Sequence, residues 1–227
     1  MPLSLGVAEL ADAARIAEIH TAAFGSNAML LAQFPTPAVR TALKKSIELK
    51  ALADIDDPKT TVLVVRDPSL ETHSSNAASA NEQTRERRNK EQVVAFAKWA
   101  HPVQPNENYV EPPWIWPAGT NLGVLDDWAK KTEEAQLRAV GNTPCYRLTF
   151  MGTDPSHRRR GAATTMVRWG MDRSRKDGAP AYLESTLEAA SFYRNLGFVD
   201  VDKISLEYGI DGTEICSTYE EVSFLYR

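Results

Sequence analysis

The sequence predicts an α/β domain, and three observations carry that expectation. The last third of the chain alternates between short strand patterns and helical ones, in the order strand, helix, strand, helix, strand, strand. Upstream, TTVLVV at Thr60 to Val65 is short and β-branched, and QVVAFAKWA at Gln92 to Ala100 reads as its natural partner strand. The 227 residues, 43% of them hydrophobic, suffice for one sizeable core, so residues 1–227 are read as a single domain.

In chain order, Ser4 to Val7 predicts a short strand, and Asp12 is placed to cap a helix whose Ala13, Ile16, Ile19 and Ala23 recur at helical spacing. Thr36 caps a second helix, with Val39, Leu43, Ile47 and Leu52 giving its apolar face. After TTVLVV, residues 67–90 hold almost no large apolar side chain and cannot repay the entropy of ordering, so they read as a mobile insertion within a hairpin. Residues 102–144 form a second insertion, rich in proline and tryptophan, with a helix starting at Asp126 or Asp127 and stopping at Gly141. Its length suits a lid or a substrate wall, and Trp114, Trp116 and Trp128 equally suit anchoring it to the core. CYRLTFMG reads as a strand, RRGAATTMVRWGMDRSRKDG as a helix and AYLES as a strand. The helix of STLEAASFYRNLG follows, with Ser185 and Glu188 in capping-box spacing and Gly197 at its stop. VDVDKISL and YEEVSFLYR close the chain as a hairpin.

The composition narrows the function classes. The 26 Lys and Arg against 30 Asp and Glu give a net charge of −4, which disfavours a general nucleic-acid or membrane-surface role. Cys145 and Cys216 are too few for a disulfide scaffold and read as ordinary buried thiols. The opening MPLSLGVAELADAAR has no basic region followed by an apolar run, and no apolar stretch is long enough to span a bilayer, so a cytoplasmic protein is expected. The four histidines, His20, His73, His101 and His157, form no close metal-binding pair, and no metal is expected.

Against this acidic background, DPSHRRRGAATTM at Asp154 to Met166 gathers His157, Arg158, Arg159 and Arg160 before a Gly-Ala-Ala run. A helix beginning near Arg159 or Arg160 directs unpaired N–H groups and the positive end of its dipole at whatever lies beyond its first turn. Gly161, Ala162 and Ala163 leave an anion free to approach that backbone. Arginine at this end of a helix is unfavourable unless an anion neutralises it. The later basics Arg168, Arg173, Arg175 and Lys176 read as a solvated face. Neither G-x-x-x-x-G-K-[ST] nor G-x-G-x-x-G occurs, which leaves R-x-x-G-x-A at Arg158, Gly161 and Ala163.

In its context, a strand, then TDPSHRRRGAATTM opening a helix, then AYLES, then a helix ending FYRNLGF, this pattern resembles the GNAT family of acyl-CoA-dependent N-acetyltransferases. The resemblance runs from Tyr146 to Phe198, through the [QR]-x-x-G-x-[GA] signature and the Y-x-x-x-G-F ending, and the Pro/Trp insertion resembles that of fungal small-molecule members. It implies an α/β fold with a mixed open sheet, splayed between its central strands CYRLTFMG and AYLES, and with helices on both faces. It also implies acetyl-CoA in the notch as co-substrate. Met151, Gly152 and Thr153 would then meet the pantetheine, while Arg159, Arg160, Gly161, Ala162, Ala163 and Thr164 meet the pyrophosphate, with Arg158 as a charge partner.

Tyr193 occupies the family's general-acid position, although its face with Ala189, Ala190 and Leu196 also suits a core tyrosine. Glu184 ends its strand facing the expected cleft and is the candidate base, with His101 and Asp154 as lesser ones; pairing of Glu184 with an arginine is the alternative. Trp114 and Trp116 are candidate acceptor-site residues, and Tyr109, Asp126 and Asp127 are named with them. Thr186 stands where many members carry asparagine, and CYRLTFMG lacks the Glu or His that some relatives use as base. The resulting expectation is direct acetyl transfer to a primary amine of a small molecule, without nucleic-acid or membrane partners. A protein N-terminal or lysine acetyltransferase and a non-catalytic acyl-CoA sensor are the alternatives.

Overall fold

A computed structural model describes residues 2–68, 92–209 and 216–227 of the chain. Among them, seven strands form one open sheet: β1 (Ser4–Val7), β2 (Thr60–Asp67), β3 (Gln92–Ala100), β4 (Tyr146–Thr153), β5 (Ala181–Thr186), β6 (Val199–Gly209) and β7 (Cys216–Tyr226), in spatial order β1-β2-β3-β4-β5-β7-β6. Every neighbouring pair is antiparallel except β4 and β5. That exception follows from connectivity, because β4 reaches β5 by way of a helix crossover. Thr60 lies opposite Ala100 and Val64 opposite Phe96, so TTVLVV and QVVAFAKWA are partners.

Strand alternation sends each sheet residue to one of two apolar layers. On one side, Leu63, Val65, Val94, Trp99, Leu148, Leu183 and Phe224 meet α5 (Ala162–Asp177) and α6 (Ala190–Asn195). On the other, Val62, Val64 and Phe96 meet α1 (Ala13–Phe24) and α3 (Pro37–Asp56), with α2 (Ala28–Gln33) lying between them in sequence. Helix α4 (Leu122–Val140) covers β6 and β7. The mixed, open α/β sheet with helices on both faces is therefore the one the sequence predicts. No helix among the described residues is long and apolar enough to cross a membrane.

Several local expectations are corrected. Asp12 does not cap α1: its carboxylate accepts the Glu9 N–H at 2.8 Å and binds Arg66 of β2 at 2.8 Å, tying a 3-10 turn to the sheet. Helix α4 begins before Asp126, because Asn121 accepts the Val124 N–H and starts it there. Ser185 is still in β5 and bonds the Thr186 carbonyl, so it forms no capping box with Glu188, and α6 is correspondingly short. The helix expected near Arg159 starts at Ala162, after a 3-10 turn at Pro155–His157. Helix α2, capped by Asn27, was not anticipated, since six residues carry too little periodicity. Cys145 is buried as expected, but Cys216 is exposed at the start of β7. The insertion read at 67–90 lies, from 69 onward, outside the described residues.

The Pro/Trp segment is fastened by charge as well as by apolar contact. Glu111 Oε1 accepts Lys98 Nζ of β3 at 2.7 Å and Lys50 Nζ of α3 at 2.9 Å. Asp54, itself 4% exposed, lies 3.0 Å from Lys98, so two buried lysines share one buried carboxylate and the exposed carboxylate of Glu111. Buried charges persist when paired in this way. Tyr109 donates to Asp57 at 2.6 Å, and Trp114 and Trp116 stack at 4.5 Å over the Phe34, Val39 and Leu43 cluster.

Two close fits yield predictions. A Cβ at Gly170 would sit 2.2 Å from Cζ2 of Trp99, whose ring is fully buried and donates Nε1–H to the Met166 carbonyl at 3.2 Å. Gly170→Ala is therefore expected to destabilise the fold by roughly 1–3 kcal/mol through overpacking, despite a helix-propensity gain of about 1 kcal/mol. Urea unfolding checks this, and Trp99→Phe in the same chain is expected to recover part of the loss. His20 of α1 lies among Phe24, Phe96 and Phe150, and neither ring nitrogen has a hydrogen-bond partner among the described residues. Burial depresses its pKa to about 4. The unfolded chain thus binds this proton more tightly than the native one, and stability falls as the pH drops from about 6.5 towards 4. Relative to His20→Leu, the wild type is expected to lose about 3 kcal/mol across that window, read from denaturation midpoints at each pH.

Candidate functional site

The site is built where two central strands part. Parallel pairing of β4 with β5 covers only Tyr146 with Ala181, Arg147 with Tyr182 and Leu148 with Leu183. On the β3 side the register slips at the same point: Trp99 faces Leu148 and Lys98 faces Phe150, leaving Thr149 as an extra residue. Such a bulge increases local twist and bends β4. Beyond it the Asp154 N–H donates to the Val94 carbonyl at 2.8 Å, so Asp154, Gly152 and Phe150 direct their main chain at β3. By alternation, the main-chain groups of Thr153 and Met151 face the open side, where β5 no longer pairs with them. Gly152 serves packing, since a Cβ there would lie 2.8 Å from the Phe96 ring.

The loop after β4 is held by its own side chains. Asp154 accepts the Ser156 N–H at 3.0 Å and hydroxyl at 2.6 Å, and Arg15 of α1 at 2.5 Å. Burial works against its charge, but these bonds prevail and hold its carboxyl at about 2, so Asp154 is an ionised strut and not a base at neutral pH. Arg159 follows in the left-handed region at φ 63° and Gly161 at φ 88°, and successive backbone turns of this kind aim N–H groups into one concavity. Gly161 is the N-cap of α5 and brings no side-chain acceptor, which leaves the first-turn amides of Ala162, Ala163 and Thr164 without a partner inside the helix. Of the arginines, Arg160 is bound to Asp67 at 2.5 Å, whereas Arg158 and Arg159 are exposed and have no ion-pair partner among the described residues. His157 lies against Ser156 at 2.8 Å.

Tyr193 of α6 combines the two characters read from the sequence. Its ring lies in the core beside Phe192, Phe224 and Phe198, at 5.0, 5.7 and 6.0 Å between centroids. Its hydroxyl has no hydrogen-bond partner among the described residues, and burial, with a contribution from the charge of Glu221, raises its pKa above the ordinary tyrosine value. Glu184, the first β5 residue past the ladder, accepts Arg147 Nη2 at 2.7 Å, while Arg147 Nε is buried and has no partner among the described residues. Thr186 Oγ1 takes only a weak bond from the Ala189 N–H at 3.4 Å. His101 lies outside the group: it bonds Thr61 at 2.8 Å and touches Tyr146, where β4 and β5 are still paired.

Of the acceptor candidates, Trp114 reaches the β4 face, edge-on to Phe150 at 5.9 Å, while Trp116 turns back onto Phe34 at 5.8 Å. Tyr109 is committed to Asp57, and Asp126 and Asp127 are exposed on α4. A second carboxylate was missed. Glu221 of β7 lies opposite Thr186 of β5, diagonal to Glu184, which faces Ser223. It accepts the Tyr219 hydroxyl at 2.7 Å, and that hydroxyl accepts Asn27 Nδ2 at 2.8 Å. Burial pushes the Glu221 carboxyl up to about 7, with the Glu184 charge adding to the rise and the Tyr219 bond opposing it. The spacing of YEEV gives no sign of this, because the partner of β7 is set by topology.

The family model described as acetyltransferase (GNAT) family matches residues 81–198. Among solved structures, one described as histone acetyltransferase HPA2 and related acetyltransferase from Corynebacterium glutamicum is similar at TM-score 0.60 and 19% identity, over 99% of this chain and 96% of the other. Mosquito arylalkylamine N-acetyltransferase like 5b is similar at TM-score 0.59 and 13% identity, over 99% of both chains. The C-terminal condensation domain of Ebony, in complex with beta-alanyl-dopamine, is similar at TM-score 0.61 and 10% identity, over 100% and 99%. At such identities these likenesses establish the fold, and the resemblance to fungal small-molecule members stays a reading of the sequence. A search of curated proteins found no match. The family match spans just over half the chain and takes in the split strands, the arginine loop and Tyr193: the chain belongs to the GNAT family of acetyltransferases.

Proposed function

We propose that this acetyltransferase moves an acetyl group from acetyl-CoA to the primary amine of a small molecule, by direct attack with both substrates bound. The observation that carries the reading is the uncapped start of α5, with Arg158 and Arg159 beside it and without ion-pair partners among the described residues, at the mouth of the β4–β5 notch. A diphosphate fits there: the Ala162, Ala163 and Thr164 amides need acceptors, and Gly161 adopts a conformation that few other residues tolerate. The open edge at Met151 and Thr153 offers the amide-containing pantetheine arm the hydrogen bonds of an added strand. A covered acceptor side favours a small amine over a protein tail. Trp114 closes on Phe150, and α4 lies over β6 and β7 with Trp128 edge-on to Tyr219 at 5.1 Å.

The chemistry asks for three things. An alkylamine with a pKa of about 10.4 must lose a proton before it attacks. Main-chain N–H groups on the open edge of β4 stabilise the oxygen that gains negative charge. Tyr193, whose hydroxyl has no partner among the described residues, gives its proton to the leaving thiolate and is reprotonated from the attacking nitrogen. Glu184, first considered for the base, is assigned instead to holding Arg147 at the notch, since its oxygen is occupied by that guanidinium.

Release of free thiol from acetyl-CoA, with 2-phenylethylamine, putrescine and a lysine-containing peptide as acceptors, tests the reading. Turnover of one of the small amines is expected. A chain that binds acetyl-CoA in a calorimeter yet releases no thiol with any acceptor would instead be a sensor, and preference for the peptide would make it a protein acetyltransferase. Tyr193→Phe is expected to lower kcat by roughly 100-fold with acetyl-CoA affinity retained. Joint replacement of Arg158 and Arg159 by Ala is expected to raise the KM for acetyl-CoA by about tenfold, equivalent to about 1.4 kcal/mol. Arg160→Ala, which breaks the Asp67 pair, is expected to lower stability as well.

A further inference from the structure

The proposed reaction needs a proton acceptor, and neither the arginine loop nor β4 supplies one. Two carboxylates share the face of β5 and β7 that α2 and α4 cover, and their surroundings differ in kind. Glu184 is balanced by Arg147 at 2.7 Å. Glu221 has no cation within ion-pair distance among the described residues: its cross-strand neighbours are Thr186 on β5 and Ile204 on β6, and Glu184 is its diagonal neighbour. One of its oxygens is fixed by Tyr219, which is in turn fixed by Asn27 at the start of α2. The other accepts no hydrogen bond among the described residues, and the residue is not fully enclosed. Its charge adds to the burial that raises the Tyr193 pKa, although Tyr193 packs on the other face of β7, beside Phe224.

We propose that Glu221 takes the first proton from the acceptor's ammonium, with Tyr219 and Asn27 as positioning residues. The inference rests on the acetyltransferase reading above. An N–H bond of the ammonium breaks and an O–H bond to the free Glu221 oxygen forms, and the neutral nitrogen adds to the thioester carbonyl. As the carbon–sulfur bond breaks, the second nitrogen proton passes through Tyr193 to the thiolate. Glu221 then returns its proton to water, so acetyl-CoA and an ammonium yield an acetamide, a thiol and one released proton. Two carboxylates whose environments differ in this way divide their roles, one bound to a cation and the other left to exchange a proton. A carboxyl raised to about 7 suits a base working near neutrality. The groups facing it are Tyr219 on its own strand, Glu184 on β5 and, through Tyr219, Asn27 at the start of α2, while Tyr193 packs on the opposite face of β7 beside Phe224.

The test is the pH dependence of kcat/KM for the small amine turned over best, 2-phenylethylamine or putrescine, with acetyl-CoA binding measured alongside. The wild type is expected to lose rate on the acid side with an inflection near 7. Glu221→Gln is expected to bind acetyl-CoA within about twofold of wild type and to lose roughly 100-fold at pH 7, with the inflection replaced by a steady rise with pH. The same variant is expected to acetylate trifluoroethylamine, already neutral at pH 7, at close to the wild-type rate. Tyr219→Phe, which removes the bond that favours the charged carboxylate, is expected to move the inflection to higher pH, a displacement that a purely structural tyrosine would not cause. An unchanged inflection in Glu221→Gln overturns the inference and leaves the acetyltransferase reading intact. A wild type that binds acetyl-CoA but turns over no amine overturns both. Should Glu221→Gln fail to bind acetyl-CoA, Tyr219→Phe decides, and an unmoved inflection there overturns the assignment.

Discussion

The site depends on the short life of one parallel pairing. Adjacent main-chain donors and acceptors on β4 and β5 satisfy one another for three residues and then diverge. A buried backbone group left without a partner costs about 1–3 kcal/mol, so an edge opened inside a sheet calls for something to complete it. The extra residue at Thr149 keeps that edge open: its side chain reaches back to the Lys98 carbonyl at 3.3 Å, and a β4 bent at that point cannot follow β5. The concavity is thus a product of register, and no loop has to move to create it.

Opposite charges then gather on the two sides of this opening. Above the β4 edge stand Arg158, Arg159 and the positive end of α5. Across β5 and β7 stand Glu184, paired with Arg147 of β4, and Glu221. An overall acidic chain therefore carries a local positive field at the start of α5, set apart from the carboxylates of β5 and β7. The sheet's packing keeps the two apart, since α5 is fixed against β3 by Trp99 and the absent side chain at Gly170.

Much of this was legible in the sequence, for local reasons. The stretch from Tyr146 to Phe198 announces itself because glycine is needed at Gly161 and Gly197, whose φ angles are 88° and 96°, and because α5 has a regular apolar face. Strands β2 and β3 were legible from β-branched runs flanked by breakers. What escaped notice depended on partners remote in sequence. Asp12 is a good cap by type, yet Arg66 of β2 claims it. Ser185 has capping-box spacing, yet β5 runs on through it to Thr186. Glu221 is one of two adjacent glutamates, and only the insertion of β7 between β5 and β6 puts it beside Glu184 and points the next-but-one Tyr219 at Asn27.

The quartet of Lys50, Lys98, Asp54 and Glu111 bears on how such a chain can diverge over generations. Losing either carboxylate strands a buried lysine charge, so such intermediates along a stepwise mutational path are penalised. Descendants that shed the Pro/Trp segment, and Glu111 with it, would be expected to have replaced one of the lysines too. Helix α3, strand β3 and that segment are in this respect inherited as a unit.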